Sequence, residues 1–192
     1  MGPTRRDAMT GLGLMSLGLL PGFARSEDAA WAALARPGAV AMMRHALAPG
    51  GGDPAHFRLG DCATQRNLDG RGRDQARRTG AEMRARGIAF DRVLTSQWCR
   101  CRETAELLGA GPVEELPALN SFFEARHRRR AQTDALRAYL AARDPSERLM
   151  LVTHQVNITA LTGRGVASGE IFVIVPAAEG RAAVLGEILI RP

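Results

Sequence analysis

A three-layer α/β domain is the fold this sequence predicts, with a mostly parallel central sheet, helices on both faces and an antiparallel edge hairpin. Three observations predict it. From Gly38 onward, short apolar runs alternate with segments of helical period, the pattern of strands joined by crossover helices. The last two apolar runs, Ile171 to Val175 and Ala183 to Ile190, enclose Ala178-Glu179-Gly180 with no helix between them and read as a hairpin. The chain has 192 residues, 45% hydrophobic and 24% charged, which suits one soluble domain and excludes collagen-like, disordered and multi-span membrane classes.

The elements follow in order. Ala39 to Met43 reads as a first buried strand. Leu47 to Asn67, rich in Gly, Pro and Asp, is too long for an ordinary connection and reads as a functional loop. Asp69 can cap a helix in which Ala76, Gly80 and Met83 recur at i, i+4 and i+7, and Gly87 ends it. Phe90 to Thr95 is a second strand. A helix from about Gln97 to Leu108 follows, with Cys101, Ala105 and Leu108 inward and Gly109 and Gly111 as its stop. Val113 to Leu116 is a short strand, and after an irregular stretch Thr133 or Asp134 can cap a helix that turns Leu136 and Leu140 inward. Leu149 to Thr153 is a strongly apolar strand, followed by a helix from Asn157 to Thr162. With aromatics at 5%, the core must be aliphatic.

The amino-terminal residues have the layout of an address. Arg5-Arg6 precedes an uncharged run from Gly11 to Leu20, and Pro21, Gly22 and Ala24-Arg25-Ser26 come next. That order matches a cleavable export signal of the twin-arginine type, and the run is too short for a bilayer, which takes ~20 residues. An uncleaved amphipathic anchor is the alternative. The expected division is a signal at 1–26 and a single domain at 27–192, exported to the periplasm, with no membrane span. Removing residues 1–26 takes away three arginines and one aspartate, so the net charge falls from +6 to +4.

Export to an oxidising compartment permits a disulfide. Cys99 and Cys101 flank Arg100, and Cys62 stands alone in the long loop. Cys62 is expected to bond to one of the other two and leave one thiol free, with the partner undecided. The spacing does not fit a structural zinc motif.

All 26 basic residues are arginine and none is lysine, which excludes lysine Schiff-base chemistry and a Walker-type lysine. The guanidinium left to grip anions is a planar, permanently charged fork. Polar residues stand at three strand ends: Arg44-His45 after the first, Ser96 with Arg100 after the second, and His154 after the Leu149 strand. In an open α/β sheet the carboxyl ends of strands share one crevice, so two arginines and two histidines can converge there as an anion site. A single strand-end histidine is more often a satisfied core residue, so the joint pattern carries the weight.

That pattern resembles the histidine phosphatase, or phosphoglycerate-mutase-like, superfamily. The resemblance rests on Met43-Arg44-His45-Ala46 after a buried strand, on Thr95-Ser96-Gln97-Trp98-Cys99-Arg100-Cys101-Arg102-Glu103-Thr104-Ala105 opening a helix, and on Val152-Thr153-His154 after a late strand. Leu68-Asp69-Gly70-Arg71-Gly72-Arg73-Asp74-Gln75-Ala76 is similar to the family's helix start. The resemblance implies that His45 is the nucleophile that becomes phosphohistidine, that Arg44 and Arg100 hold the phosphoryl oxygens, and that His154 donates to them. Phosphoryl transfer needs in-line positioning and fixed positive charge, which these groups supply, so no metal or other cofactor is expected. Arg102, ~200° round a helix from Arg100, should face elsewhere.

The sequence departs from the family at Ala46, where glycine is usual, at Gln155, where glycine follows the second histidine, and at the acid. Leu119-Asn120-Ser121 stands where a Leu-x-Glu motif would place a carboxylate. Glu124 is the candidate general acid for protonating an alkyl leaving group; a solvated loop carboxylate paired with Arg126 or Arg128 is the competing reading, and Asp53 and Asp61 are reserves. Arg66 and Asn67 can reach substrate or cap the following helix. Arg126-His127-Arg128-Arg129-Arg130 can meet an acidic substrate rim, but it reads first as a solvated charge run and lacks the aromatic interleaving of a nucleic-acid face.

The expected function is hydrolysis of a small phosphomonoester, with a glycan-linked phosphate as one substrate class and no nucleic-acid partner. A mutase of the same superfamily and a non-catalytic phosphoglycan-binding protein are the alternatives, and phosphate release from an aryl ester separates the last of these from an enzyme.

Overall fold

The computed structural model describes residues 24–192. Five helices and six strands form, all but the first helix expected from the periodicity: α1 (Ala24–Leu34), β1 (Val40–Arg44), α2 (Gly70–Ala85), β2 (Arg92–Thr95), α3 (Cys99–Leu108), β3 (Val113–Glu115), α4 (Arg129–Ala142), β4 (Leu149–Thr153), α5 (Gln155–Thr162), β5 (Glu170–Val175) and β6 (Ala183–Leu189). The six strands form one sheet in the order β3-β2-β4-β1-β5-β6. The pairs β3/β2, β2/β4 and β4/β1 are parallel, whereas β5 runs antiparallel to both β1 and β6. This is the predicted mixed sheet with its antiparallel hairpin at one edge.

Side-chain alternation in the strands divides the core into two layers. Ala41 and Met43 of β1, Met150 and Val152 of β4 and Ile171 and Val173 of β5 point to one face, where Ala30, Trp31 and Leu34 of α1, Met83 of α2 and Ala105 and Leu108 of α3 cover them. Val40, Met42, Leu149, Leu151, Phe172 and Ile174 point to the other face, under Leu136 and Leu140 of α4 and Ile158 and Leu161 of α5. Both faces of the central strands are buried, which is why those strands read as unbroken apolar runs instead of alternating ones.

Helix α2 begins as expected: the Asp69 carboxylate accepts from the Gly72 N–H at 2.8 Å. Gly80 lets α2 and α3 approach closely, since a Cβ there would lie 1.9 Å from the Leu108 carbonyl oxygen. Gly109 ends α3 in the left-handed conformation at φ 54°.

Three boundaries differ from expectation. α4 starts at Arg129, not at Thr133 or Asp134, because a 3-10 turn at Arg126–Arg128 runs directly into it; the Thr133 hydroxyl bonds back to the Arg129 carbonyl inside the helix. α5 starts at Gln155, immediately after His154, so this histidine sits at the helix boundary rather than three residues upstream of it. α1 overlaps the expected signal only at residues 24–26; the helix itself, for which the sequence reading named no element, is part of the core: Ala30 packs against Gly186 of β6 closely enough that a Cβ there would sit 2.5 Å from its own. The expected signal, residues 1–26, lies almost entirely outside the described residues. No described helix is long and apolar enough to cross a membrane.

Cys62 bonds to Cys99, and Cys101 remains a buried free thiol, so the expected staple forms and its partner is fixed. The bridge spans a sequence separation of 37 and ties the long loop to the first turn of α3. Closing a loop of that length restricts the unfolded chain by about 4 kcal/mol in the chain-entropy description.

Candidate active site

Three parallel strands deliver the polar residues to one crevice. β1 ends at Arg44 with His45 next, β2 ends at Thr95 with Ser96 next, and β4 ends at Thr153 with His154 next. Because Arg44 pairs with Thr153 in register, and Thr95 with Val152, these ends lie side by side at the carboxyl edge of the sheet. The His45 N–H also bonds the Thr153 carbonyl at 2.9 Å, extending the pairing one residue beyond β1. His45, Ser96, Arg100 and His154 are all buried, which for polar groups demands partners or a ligand.

The His45 and His154 rings stand 5.6 Å apart at 68°. The Nδ1 of His45 is 2.8 Å from the Ala46 carbonyl oxygen. A carbonyl only accepts, so Nδ1 carries the proton and Nε2 keeps a free lone pair. Around it the backbone is fixed: Ala46 N–H donates to the Thr104 hydroxyl, Leu47 N–H donates to the Gln75 amide oxygen, and Gly169 N–H meets the Arg44 and His45 carbonyls. Gly169 adopts φ 77°, and any Cβ would collide with the Gln75 side chain at 2.2 Å.

The partners of His154 set its tautomer. Its Nδ1 lies 3.4 Å from Arg100 Nη2, and its Nε2 lies 2.9 Å from the Ser96 hydroxyl. A guanidinium only donates, so Nδ1 accepts and Nε2–H donates to Ser96 Oγ, whose own proton goes to Asn120 Oδ1 at 3.2 Å. In this state the one N–H of His154 is taken by Ser96, and a second proton on Nδ1 would give the ring a further donor.

Arg100 makes the strongest ion pair of the site. Its terminal nitrogens grip the two Asp53 oxygens at 2.7 and 3.1 Å, and Nη1 also reaches the Arg66 carbonyl at 3.2 Å. Asp53 in turn accepts from the Trp98 indole at 2.9 Å and the Arg66 N–H at 3.1 Å. The Nε of Arg100 is buried with no partner, and so is the Nε of Arg44, whose Nη1 donates to the Val166 carbonyl at 3.1 Å. Three other arginines, Arg137, Arg143 and Arg148, share that orphaned nitrogen, but only these two flank the paired histidines. A third guanidinium, Arg66, is anchored to the Ala48 and Gly52 carbonyls and is close enough to weaken protonation of both histidines.

Residues 40–127 match the family model of the histidine phosphatase superfamily, branch 1. The chain belongs to the histidine phosphatase superfamily. Solved structures share its fold at low sequence identity. The protein histidine phosphatase SixA complexed with tungstate aligns with TM-score 0.51 at 19% identity, covering 78% of this chain and 96% of its own. The Rv3214 protein of Mycobacterium tuberculosis aligns with TM-score 0.54 at 16% identity over 76% and 94%. TTHB049 of Thermus thermophilus aligns with TM-score 0.52 at 17% identity over 79% and 99%. No curated protein matches the chain.

In this histidine phosphatase superfamily member the charges explain the protonation states. Burial is the chief reason that the His45 and His154 pKa values lie well below the ordinary histidine value, and the Arg100 charge adds to it. Both rings are therefore neutral near pH 7. Asp53 behaves oppositely: burial pushes its pKa up, but the hydrogen bond and charge of Arg100, with Trp98 and the Arg66 N–H, outweigh that and hold it ionised below the usual carboxylate range. An aspartate so held is a poor proton donor, so Asp53 does not serve as the reserve acid. Asp61, the other reserve, is exposed and caps the 3-10 turn at Cys62–Thr64. Burial also pushes the Cys101 thiol up to about 12, so its sulfur, 3.5 Å from His154 Nε2, is a packing group and not a nucleophile.

Glu124 is brought near the crevice but not into it. It is exposed, and its carboxylate sits beside Gly52, the residue preceding Asp53, where a Cβ would come within 3.2 Å of Oε1. Arg102 is half-exposed and reaches Glu115 at 3.5 Å, outside the site as expected. Gln155 and His56 are exposed. Asn67 neither reaches the crevice nor caps α2; its amide donates to the Cys62 and Gln65 carbonyls within the long loop.

Neutral buried histidines have a stability consequence with a definite sign. Each unfolds into a state that binds protons more readily, with an ordinary value of ~6.5. Their contribution is complete above that value and is lost as the pH falls below it toward the depressed folded values. Urea melts of the anion-free protein should show constant stability from pH 8 to about 7 and a progressive loss below ~6.5 that His154→Gln reduces. Stability that rises as the pH falls through this window would contradict neutral imidazoles.

Proposed function

We propose that the protein is an exported phosphatase that hydrolyses a phosphomonoester through a phosphohistidine on His45. One observation carries the reading: two guanidiniums with buried, unpartnered Nε groups stand beside a neutral imidazole whose Nε2 is unprotonated. Orphaned buried donors of this kind are costly, and a phosphoryl dianion satisfies them with charge-assisted hydrogen bonds. The tungstate held by the SixA relative is an oxyanion of similar shape and charge.

In the proposed reaction Arg44 and Arg100 hold the equatorial oxygens, and His45 Nε2 attacks phosphorus while the bond to the ester oxygen breaks. The leaving oxygen takes a proton, from Glu124 when the ester is an alkyl one. Water then attacks the phosphohistidine, the N–P bond breaks, and inorganic phosphate leaves. The entering dianion favours a proton on His154 Nδ1, which converts that nitrogen from acceptor to donor at the moment negative charge arrives. The Cys62–Cys99 bridge supports export, since such bonds persist in oxidising compartments.

Phosphate release from an aryl phosphate, combined with an alkaline denaturing quench that preserves the acid-labile N–P bond, tests activity and intermediate together. One phosphoryl group per chain on His45 is expected; release of phosphate without any trapped label on histidine would exclude the covalent route. Glu124→Gln should slow alkyl esters by ~10²-fold and leave aryl esters nearly unchanged, as expected of a general acid. Equal losses on both would remove Glu124 from that role.

A further inference from the structure

Asn120 lies on the irregular segment between β3 and α4, and the fold fastens that segment through its backbone. The Asn120 carbonyl accepts from the Gln132 amide of α4 and, at 3.0 Å, from Asn157 Nδ2 of α5. One residue earlier, the Leu119 carbonyl accepts from the Thr153 hydroxyl of β4 at 2.6 Å. Held in this way from α4, α5 and β4, the segment does not depend on the Asn120 side chain for its place. That side chain bonds instead to the connection between β2 and α3.

Hydrogen-bond direction is fixed there from both ends. Asn120 Oδ1 accepts from the Gln97 backbone N–H at 2.9 Å, and a backbone N–H can only donate, so this end of the amide is the oxygen. Asn120 Nδ2 then donates to Gln97 Oε1 at 2.9 Å, and Gln97 Nε2 donates to the Glu115 carboxylate at 3.2 Å. An ionised carboxylate only accepts, so the outer end of the chain sets the same direction. Ser96 stands at the inner end. Its one proton goes to Asn120 Oδ1, and its oxygen lies 3.3 Å from the donating Trp98 N–H and 2.9 Å from His154 Nε2. With its proton given away, Ser96 can only accept from the imidazole, so Nε2 carries the hydrogen and Nδ1 is left bare.

We infer that Asn120 is a positioning residue: through Ser96 it dictates the tautomer of His154 and leaves Nδ1, the nitrogen beside Arg100, as the one place where that ring can take up a proton. The Arg100 contact favours the same tautomer, but at 3.4 Å it is the longer of the two, and the guanidinium is committed to Asp53. The part that His154 plays toward phosphoryl oxygens rests on the phosphatase reading, whereas its tautomer does not.

Long-range proton–nitrogen spectra of the whole protein, labelled with ¹⁵N-histidine and held at ~pH 8 where an ordinary imidazole is neutral, read the tautomer directly. The His154 signals are assigned by their loss in His154→Gln. Because Arg100 also aims a donor at Nδ1, the comparison is made in Arg100→Ala, or in Arg100→Ala, Asp53→Ala if the unpaired carboxylate unfolds the first. In that background the ring should remain protonated on Nε2. Adding Asn120→Ala frees the Ser96 proton to point at Nε2, and the Nδ1–H form should rise by ~5-fold or more, the weight of one neutral hydrogen bond. Asn120→Asp, which keeps the acceptor, should restore the background ratio. A ratio that Asn120→Ala does not move would overturn the assignment, and so would a ring already protonated on Nδ1 in the background. With Arg100 present, Asn120→Ala should lower kcat/KM for an aryl phosphate by ~10-fold, and Asn120→Asp should recover most of the loss. Unchanged kcat/KM would remove Asn120 from the reaction. A parent protein without turnover, in which the tautomer still shifts, would sink the phosphatase reading and leave the relay standing.

Discussion

Replacing His45 by alanine should lower turnover of any phosphomonoester by ~10⁴-fold or more, to the level left by binding and fixed charge alone. The size follows from the geometry. Nδ1 is committed to the Ala46 carbonyl, so in the proposed reaction Nε2 is the attacking nitrogen, and burial keeps the ring neutral so that no separate base is called for. No neighbouring group can substitute: His154 Nδ1 faces Arg100, the Cys101 thiol is held protonated, and Ser96 donates to Asn120. Anion affinity should behave differently, because Arg44 and Arg100 supply most of the charge and are untouched. Calorimetry with inorganic phosphate should therefore show binding retained within ~10-fold in a variant that has lost turnover, the loss of one imidazole contact being worth about 1 kcal/mol. Residual hydrolysis above ~10⁻² of the parent would mean that the nucleophile is another group.

The strands and the four strand-end residues were legible because both signals are local or nearly so. A short apolar run such as Leu149 to Val152, in a chain that alternates such runs with helical segments, reads as a strand buried on both faces, and the polar residue that follows it then falls at the carboxyl edge. The helix stripes Ala76-Gly80-Met83 and Leu136-Leu140 were equally readable, since their period is carried within two turns. The start of α4 was not, because no Ser, Asp or Asn cap marks it; a 3-10 turn made of arginines leads in, and polar caps four residues later gave a false signal. α1 was not read at all: its stripe of Ala30, Trp31 and Leu34 is short and follows directly on the expected signal at 1–26.

The least legible feature is the pairing of Asp53 with Arg100, between residues 47 positions apart. The carboxylate sits in a loop without periodicity, so nothing in its neighbourhood says which guanidinium it meets. Sequence reasoning placed Asp53 near the chemistry but gave it a proton to donate, whereas the three donors around it hold it ionised. The structure shows what joins them: the Trp98 indole reaches Asp53, and the Gln65 amide oxygen accepts from the Cys99 N–H, so loop and helix start are knit together beside the disulfide.

Arg100→Ala should lower kcat/KM by at least ~10²-fold through loss of a transition-state charge contact, and the effect of Asp53 should depend wholly on whether Arg100 is present. Asp53 occupies the terminal nitrogens of the fork and leaves the buried Nε without a partner, so in the proposed reaction its part is to orient Arg100. Asp53→Ala alone should cost ~10-fold or more in kcat/KM as the guanidinium swings free, together with about 3 kcal/mol of stability for an almost buried charge left unpaired. In the Arg100→Ala background the same change should have little further effect on rate, and it should relieve the opposite unpaired charge instead of adding a loss. A double-mutant cycle on kcat/KM, with urea melts of all four proteins, reads both terms. Additive rate losses would mean that Asp53 acts by some route other than Arg100. A faster Asp53→Ala enzyme would mean that the carboxylate blocks the anion site, and the bidentate pair would then be a plug that substrate must displace.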